Sequence, residues 1–242
     1  MRHIRILFLL FIAAVFASCN QGGVDNTLNS GVESAGAWIV PSVGTSYVYS
    51  DSVESPNGSV DGSSLEGFDT ATVLRTGQFF GGKSNVIELF DQNEGGLQFY
   101  NYESNGDISE DDSNTTDSAG RIVKTLAWDT YPTGRKQTIV VNPAVDTIED
   151  GERFISSDVR EFIGTENITT PAGNFITLHI RETSINDGVA PNNSSGTFTD
   201  TSSYDVWFAP SIGYFVKVTD RDINNGSLLG GYECNLIKYT PN

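Results

Sequence analysis

Thiols, imidazoles and basic groups are all scarce in this chain. Its 242 residues include two cysteines, two histidines and one methionine. A metal centre built on thiolates and imidazoles needs three or four such ligands. His179 and Cys234 are the only such groups beyond residue 19, so none can be built there. Two cysteines also cannot form the multi-bridge framework of a small secreted domain. Basic residues number 14 against 31 acidic ones, a formal net charge of -17. So negative a surface repels phosphate, which argues against nucleic acid as a partner and against electrostatic adhesion to an anionic leaflet. Solubility of an exported protein accounts for the acidity without an acid-specific function.

Long apolar runs are missing as well. Residues 6–16 are apolar, but a spanning helix needs about 20 such residues, and no later stretch is as long and uncharged. Arg2 and Arg5 precede this run and the small residues Ala17 and Ser18 follow it. That order of positive, apolar and small residues is an export signal, so residues 1–18 are expected to be removed. Two positive charges and no negative one leave with it, which takes the net charge to -19.

Cys19 follows immediately, and three readings compete for it: half of a disulfide, a metal ligand, or a lipid handle. The stretch Phe16-Ala17-Ser18-Cys19 resembles the lipobox of bacterial lipoproteins, with Phe16 where an aliphatic residue usually stands. The resemblance implies cleavage before Cys19, a diacylglycerol on its thiol and an acylated amino terminus. Two or three acyl chains anchor firmly where one does not. Cys19 is therefore the expected lipid attachment site, and ordinary cleavage leaving a thiol is the alternative. The next segment, "NQGGVDNTLNSGVESAG", is rich in Gly, Asn and Ser, so residues 19–36 read as a lipidated terminus and flexible linker. Together these features place the protein in the bacterial cell envelope, tethered to a membrane, the outer one being expected. With Cys19 acylated, Cys234 has no partner in the chain and reads as a small buried hydrophobe on a strand.

Helical periodicity is hard to find in what remains, whereas β-branched and aromatic residues alternate in eleven short runs. They are "TSYVYSDSV", "TATVLRTG", "SNVIELFDQ", "GLQFYNYE", "RIVKTLAWD", "KQTIVVN", "ERFISSDVREFIG", "FITLHIRET", "SYDVWFAP", "GYFVKVTDRD" and "ECNLIKYT". Gly, Asn, Asp, Pro and Ser punctuate the gaps. Residues 37–242 are thus expected to form one antiparallel all-β domain without a long helix, either a strongly curved sheet of half-barrel or barrel-like form or, alternatively, a β-sandwich. Gly81-Gly82, Gly95-Gly96 and Asn105-Gly106 mark reversals of a meander. Pro210 and Gly213 make the Trp207 and Val216 regions neighbours. The turn Pro171 to Asn174 joins two more strands, with Gly173 expected at positive φ in the third place of a type II turn.

The stretches "PSVGTSYVYSDS", "ITTPAGNFITLHIRE", "DVWFAPSIGYFVKVT" and "YECNLIKYT" resemble, in that order, a loosely defined group of bacterial envelope proteins. These are built on a curved antiparallel half-barrel related in outline to lipoprotein carriers. The resemblance implies a concave face that holds a lipid or docks a partner, and it carries over no catalytic residue. The acidic stretch "NGDISEDDSNTTDSAG" departs from that pattern.

This acidic insert, around residues 105–120, offers Asp107, Glu110, Asp111, Asp112 and Asp117 as hard oxygen ligands for calcium, or simply as solvated charge on a loop. "DQNEGG" from Asp91 begins like an EF-hand loop, but Tyr102 stands where the bidentate glutamate belongs. Alternation puts His179 on the face of Phe175, Thr177 and Arg181, opposite the more apolar one, so it is expected to face solvent. Trp38, Trp128 and Trp207 read as core or cross-strand aromatics, with a stacking face for carbohydrate or lipid as the functional alternative. No Gly-x-Ser-x-Gly elbow is present.

No catalytic, cofactor-binding or metal-ligating residue is therefore assigned. The expected function is a non-enzymatic, membrane-anchored binding module for an apolar ligand, a glycan or an envelope protein. The alternative is an envelope glycan hydrolase using paired carboxylates. A deep apolar concavity would favour the first, and two carboxyls facing each other across a cleft, one with a raised pKa, the second.

Overall fold

The computed structural model describes residues 38–56, 60–61, 68–92, 96–103, 107–116, 122–131, 138–149, 152–189 and 197–242. The export signal, Cys19 and the linker up to residue 36 lie outside them, as do Gly95, Asn105 and Gly106. All elements among the described residues are strands. They are β1 (Ser46–Glu54), β2 (Val60–Asp61), β3 (Phe68–Phe80), β4 (Lys83–Asp91), β5 (Gly96–Tyr102), β6 (Ile108–Thr116) and β7 (Ile122–Tyr131), then β8 (Thr138–Glu149), β9 (Glu152–Thr170), β10 (Gly173–Val189), β11 (Thr197–Ala209), β12 (Tyr214–Asn224) and β13 (Ser227–Thr240).

One antiparallel sheet holds them all, in the order β7-β6-β5-β4-β3-β1-β13-β12-β11-β10-β9-β8, with the short β2 added to β1. It is therefore two meanders, β3 to β7 and β8 to β13, joined through β1. Each of the eleven alternating runs contributes a strand, and a single sheet stands where a sandwich would need two. The meanders curl until they meet, so the sheet nearly closes into a barrel. Tyr131 of β7 contacts Phe208 of β11 edge to face at 5.7 Å, and Arg160 Nη1 of β9 donates to Thr130 O of β7 at 3.3 Å.

Turn chemistry sets the register where it was expected to. Gly81 and Gly82 both have positive φ, 57° and 84°, and link the Phe80–Lys83 pair in the two-residue form that suits a twisted hairpin. Trp207 pairs with Lys217 across the turn containing Pro210 and Gly213. Gly173 has the expected positive φ, 143°, but its place in the turn differs. Thr170 pairs with Gly173, so Pro171 and Ala172 form the loop and Gly173 opens β10.

Tyrosines fill the closed end of the barrel. Tyr47 and Tyr49 are completely buried, and their hydroxyls donate at 2.8 Å to the carbonyls of Ile212 and Phe215. With its polar tip satisfied, each ring contributes roughly 2–3 kcal/mol of apolar burial. Trp38 stacks on Tyr102 at 4.9 Å and plugs this end, while Ile39 N donates to Pro210 O at 3.0 Å. No helix among the described residues is long and apolar enough to cross a membrane.

The described part of the acidic insert is a strand, not the loop expected of it. Residues 108–116 form β6 and pair with β5 and β7. Alternation then sends Glu110 and Asp111 to opposite faces, which prevents them from converging on one ion. The side chains of Asp112 and Asp117 lie outside the described residues.

Candidate functional site

Alternation and register decide which side chains enter the barrel. Ile180, Val206, Val218 and Cys234 line up across β10 to β13, and the next inward row is Glu182, Tyr204, Asp220 and Tyr232. The row after that is Ser184, Ser202, Asp222 and Gly230. Rows are about 7 Å apart, so within two rows the interior passes from aliphatic to acidic.

A cavity of about 110 Å³ lies where these chemistries meet. Asp69, Asp91, Glu110 and Gln98 line it, with the rings of Tyr100, Tyr131, Tyr204, Tyr232, Phe208 and Phe215. The hydroxyls form a network. Tyr131 donates to Glu110 Oε2 at 2.9 Å and Tyr100 to Glu110 Oε1 at 3.0 Å. Tyr100 and Tyr214 meet oxygen to oxygen at 3.1 Å, and Tyr214 donates to Gln98 Oε1 at 3.2 Å. A phenol donates once, so this chain of bonds leaves few hydroxyls free to rotate. Burial, together with the Glu110 charge, pushes Tyr100 and Tyr131 well above the usual phenol range, and both remain neutral donors.

Carboxyls crowd the same space. Asp69 and Asp91 share a hydrogen bond, and burial, then the Asp91 charge, raises Asp69 to about 7. Asp51 raises it further. Asp69 Oδ1 is fully buried and has no hydrogen-bond partner. Nearer the open end, burial and then Asp222 push Asp220 up to about 6, and burial and then Asp200 raise Asp222. Like charges a few ångströms apart in a poorly solvated space resist joint ionisation. A small cation or a proton would relieve the strain.

This geometry falls between the two outcomes set by the sequence. The concavity is not the deep apolar one expected of a lipid carrier, because its wall carries carboxyls and hydroxyls. The Asp69–Asp91 pair, which shares a hydrogen bond, is closer than the roughly 5–9 Å that separates the two carboxyls of a glycosidase. Among the described residues no group of three or more His, Cys, Asp or Glu side chains could hold a metal ion.

His179 overturns its expectation. It does lie opposite the Leu178 and Ile180 face, yet it is only 4 % exposed. Its ring stacks on Trp207 with centroids 4.3 Å apart. Nδ1 meets Glu166 Oε1 at 2.7 Å and Nε2 meets Asp205 Oδ1 at 2.5 Å. Burial works against ionisation of Glu166, but hydrogen bonds from Trp207 and His179 outweigh it and hold the carboxyl below the usual range. Asp205 is likewise held low, with His179 and Arg181 overcoming burial. The convex face thus has its own covering of paired polar groups, which alternation alone does not show.

The remaining singled-out residues are structural. Cys234 is free, buried and on β13, as expected. Trp128 donates to Gly81 O at 2.9 Å, Trp38 plugs the closed end and Trp207 packs on His179, so none of the three lines the cavity. The cavity residues come from strands far apart in sequence. One signal was available: in "GYFVKVTDRD" the inward series Tyr214, Val216, Val218 ends in Asp220 and Asp222, a break in an otherwise apolar face.

No protein-family model and no curated protein matches the chain. Among solved structures, it is similar to a provisionally described lipoprotein of Parabacteroides distasonis. The identity is 18 % and the TM-score 0.46, with 83 % of this chain and 96 % of that one covered. It is also similar to a provisionally described exported protein of YmcC-like fold from Bacteroides fragilis. Here the identity is 16 % and the TM-score 0.40, with 84 % of this chain and 99 % of that one covered.

Proposed function

We propose that the chain is an exported, lipid-anchored binding module of the bacterial envelope, non-enzymatic, that holds a small polar ligand inside its barrel. The observation that carries this reading is the cavity of about 110 Å³ walled by aromatic rings, carboxyls and a fixed set of tyrosine hydroxyls. Its size argues against an acyl chain or a drug-sized ligand, which occupy pockets of about 300–1,000 Å³, and its lining argues against an apolar one.

The placement suits a tethered protein. Trp38, the first described residue, sits at the closed end beside the β11–β12 turn. The acidic rows lead toward the β12–β13 turn, and Tyr214 to Asp222 of β12 spans roughly 26 Å at about 3.3 Å per residue. A lipid on Cys19 would therefore tether the domain through the end that carries Trp38, leaving the acidic end free of the tether.

Native mass spectrometry of protein purified from its own membranes tests the reading. A retained polar molecule of low mass is expected, and it should be lost from Tyr100→Leu protein that keeps its native circular dichroism. Retention of a fatty acyl ligand, or of no molecule at all, overturns the proposal.

A further inference from the structure

We infer that the barrel cavity takes an organic ammonium ion, its charge set against the Asp69–Asp91 pair and its alkyl groups against the surrounding tyrosine rings. This rests on the cavity being the ligand site. Three independent features of the wall point the same way.

First, the buried Asp69 Oδ1 has no hydrogen-bond partner, although it sits in the lining of the cavity. A buried carboxylate oxygen without a donor is costly, and an N–H or a polarised N–CH₃ group supplies what it lacks. Second, Tyr100, Tyr131, Tyr204, Tyr232, Phe208 and Phe215 put six aromatic rings around the same space. Ring faces attract cations within about 6 Å, most strongly where water is excluded, and they contribute nothing comparable for an anion. Third, the field of neighbouring carboxyls extends to the opening. Asp220 and Asp222 lie one and two rows outward from Val218, next to Tyr204, which is 37 % exposed. A cation approaching the opening meets an acidic funnel before it reaches the rings.

The same features select within the class of cations. A bare divalent metal needs several convergent oxygen ligands, whereas Glu110 is committed to Tyr100 and Tyr131. Asp69 and Asp91 are bonded to each other, which holds the two carboxyls in place rather than leaving them to converge on a metal. A diffuse charge on a methylated nitrogen requires no tight coordination shell. The volume of about 110 Å³ fits a compact ammonium of a few heavy atoms and not a long polyamine.

Isothermal titration calorimetry of the mature lipidated chain in neutral detergent tests this. Choline is the probe, and 3,3-dimethylbutan-1-ol, glucose and calcium chloride are the comparisons at fixed ionic strength. Choline is expected to bind at pH 8 at least ten times more tightly than its neutral carbon analogue, and at least ten times less tightly at pH 5. Asp69→Asn and Tyr232→Leu should each weaken choline at least tenfold while thermal unfolding stays cooperative. If one of them fails to fold, Asp220→Asn, placed farther out, should still weaken it about threefold. Equal binding of the neutral analogue, or binding of glucose that the same variants abolish, overturns the ammonium assignment and leaves the cavity as the ligand site. Calcium in preference to choline overturns it as well. Absence of binding by every probe overturns it too, and whether the cavity is then a site at all is decided by the co-purifying mass.

Discussion

Arg160 of β9 and Tyr131 of β7 hold together two strands that share no backbone ladder. The Arg160 guanidinium lies over the Tyr131 ring, 4.4 Å from its centroid, donates to the neighbouring Thr130 carbonyl and pairs with Glu182 at 2.5 Å. At 3 % exposure Arg160 is buried in the seam where the two meanders meet. A planar, five-donor cation can serve ring, carbonyl and carboxylate at once, and lysine cannot.

Removing that cation should open the seam. Arg160→Met leaves the Glu182 charge unpaired and is expected to cost about 2–4 kcal/mol. Arg160→Lys should lose less. The double variant Arg160→Met with Glu182→Leu should recover at least half of the loss, because no lone charge remains. Urea unfolding measures all three; an Arg160→Met midpoint equal to that of the wild type would refute the role of the seam.

The convex-face cluster makes its own prediction. Glu166 and Asp205 are held below their usual range in the fold. Their stabilising contribution is therefore complete above about pH 4, where the unfolded groups ionise, and is lost as pH falls through their folded values. His179→Leu removes one cause of both shifts. It should cost about 2–3 kcal/mol at pH 7 and make the decline in stability between pH 5 and pH 2 shallower than in the wild type. Parallel acid-unfolding curves would contradict this.

Asp69 should behave in the opposite sense. Its folded pKa, raised to about 7, means that the stability it contributes is present below about pH 4 and lost as pH rises toward and through 7. Asp69→Asn is neutral throughout that window. Relative to the wild type it should therefore gain on going from pH 5 to pH 8, by about 1–2 kcal/mol after discounting for the partial exposure of the group. Guanidinium titrations at the two values measure the difference, and a gain at pH 5 that vanishes at pH 8 would reverse the argument.

How much of this was legible in the sequence depended on the range of the signal. Alternation and turn residues act over two to eight positions, and they placed β1, β3 to β5 and β7 to β13, together with the pairing of Trp207 with the strand of Val216. They failed at β6, where "ISEDDSNTT" has one large apolar side chain, no aromatic one, and five consecutive polar residues between Ile108 and Asn114; that strand is held by its neighbours β5 and β7 rather than by an alternating pattern. His179 misled for a related reason. Its own strand puts it on the convex face correctly, but burial comes from Trp207, Glu166 and Asp205, up to 28 residues away. The cavity was the least legible feature, because Asp69 and Asp91 are brought toward Tyr204 and Tyr232, more than 110 residues away, by the pairing of β3 with β1 and of β1 with β13 and by the curl of the sheet.

Gly213 marks the junction between the barrel and its plug. Its φ is +68°, and a Cβ there would come within 2.1 Å of the Ile39 carbonyl oxygen. Gly213→Ala must displace the segment that carries Trp38, and about 2–4 kcal/mol of destabilisation is expected. Gly82 has a similar φ, +84°, but nothing lies within 4 Å of its Cβ direction. Gly82→Ala should therefore cost only about 1–2 kcal/mol of backbone strain. Melting temperatures of the pair separate steric from conformational cost, and equal values would show that the plug does not press on Gly213.

The two cysteines should have separable effects. A lipid on the Cys19 thiol would make Cys19→Ala lose membrane attachment while the melting temperature stays that of the wild type, since the first described packing contact is made by Trp38. Cys234 is 2 % exposed in the wall of the cavity. Cys234→Ala should leave attachment unchanged and cost about 1–2 kcal/mol for the lost sulfur. Ordinary signal cleavage predicts instead a water-soluble wild-type protein with an unmodified Cys19, and a disulfide predicts equal destabilisation by either substitution. Detergent phase partitioning of the wild type and both variants, combined with the amino-terminal mass, separates the three. Wild-type protein in the aqueous phase would eliminate the anchor.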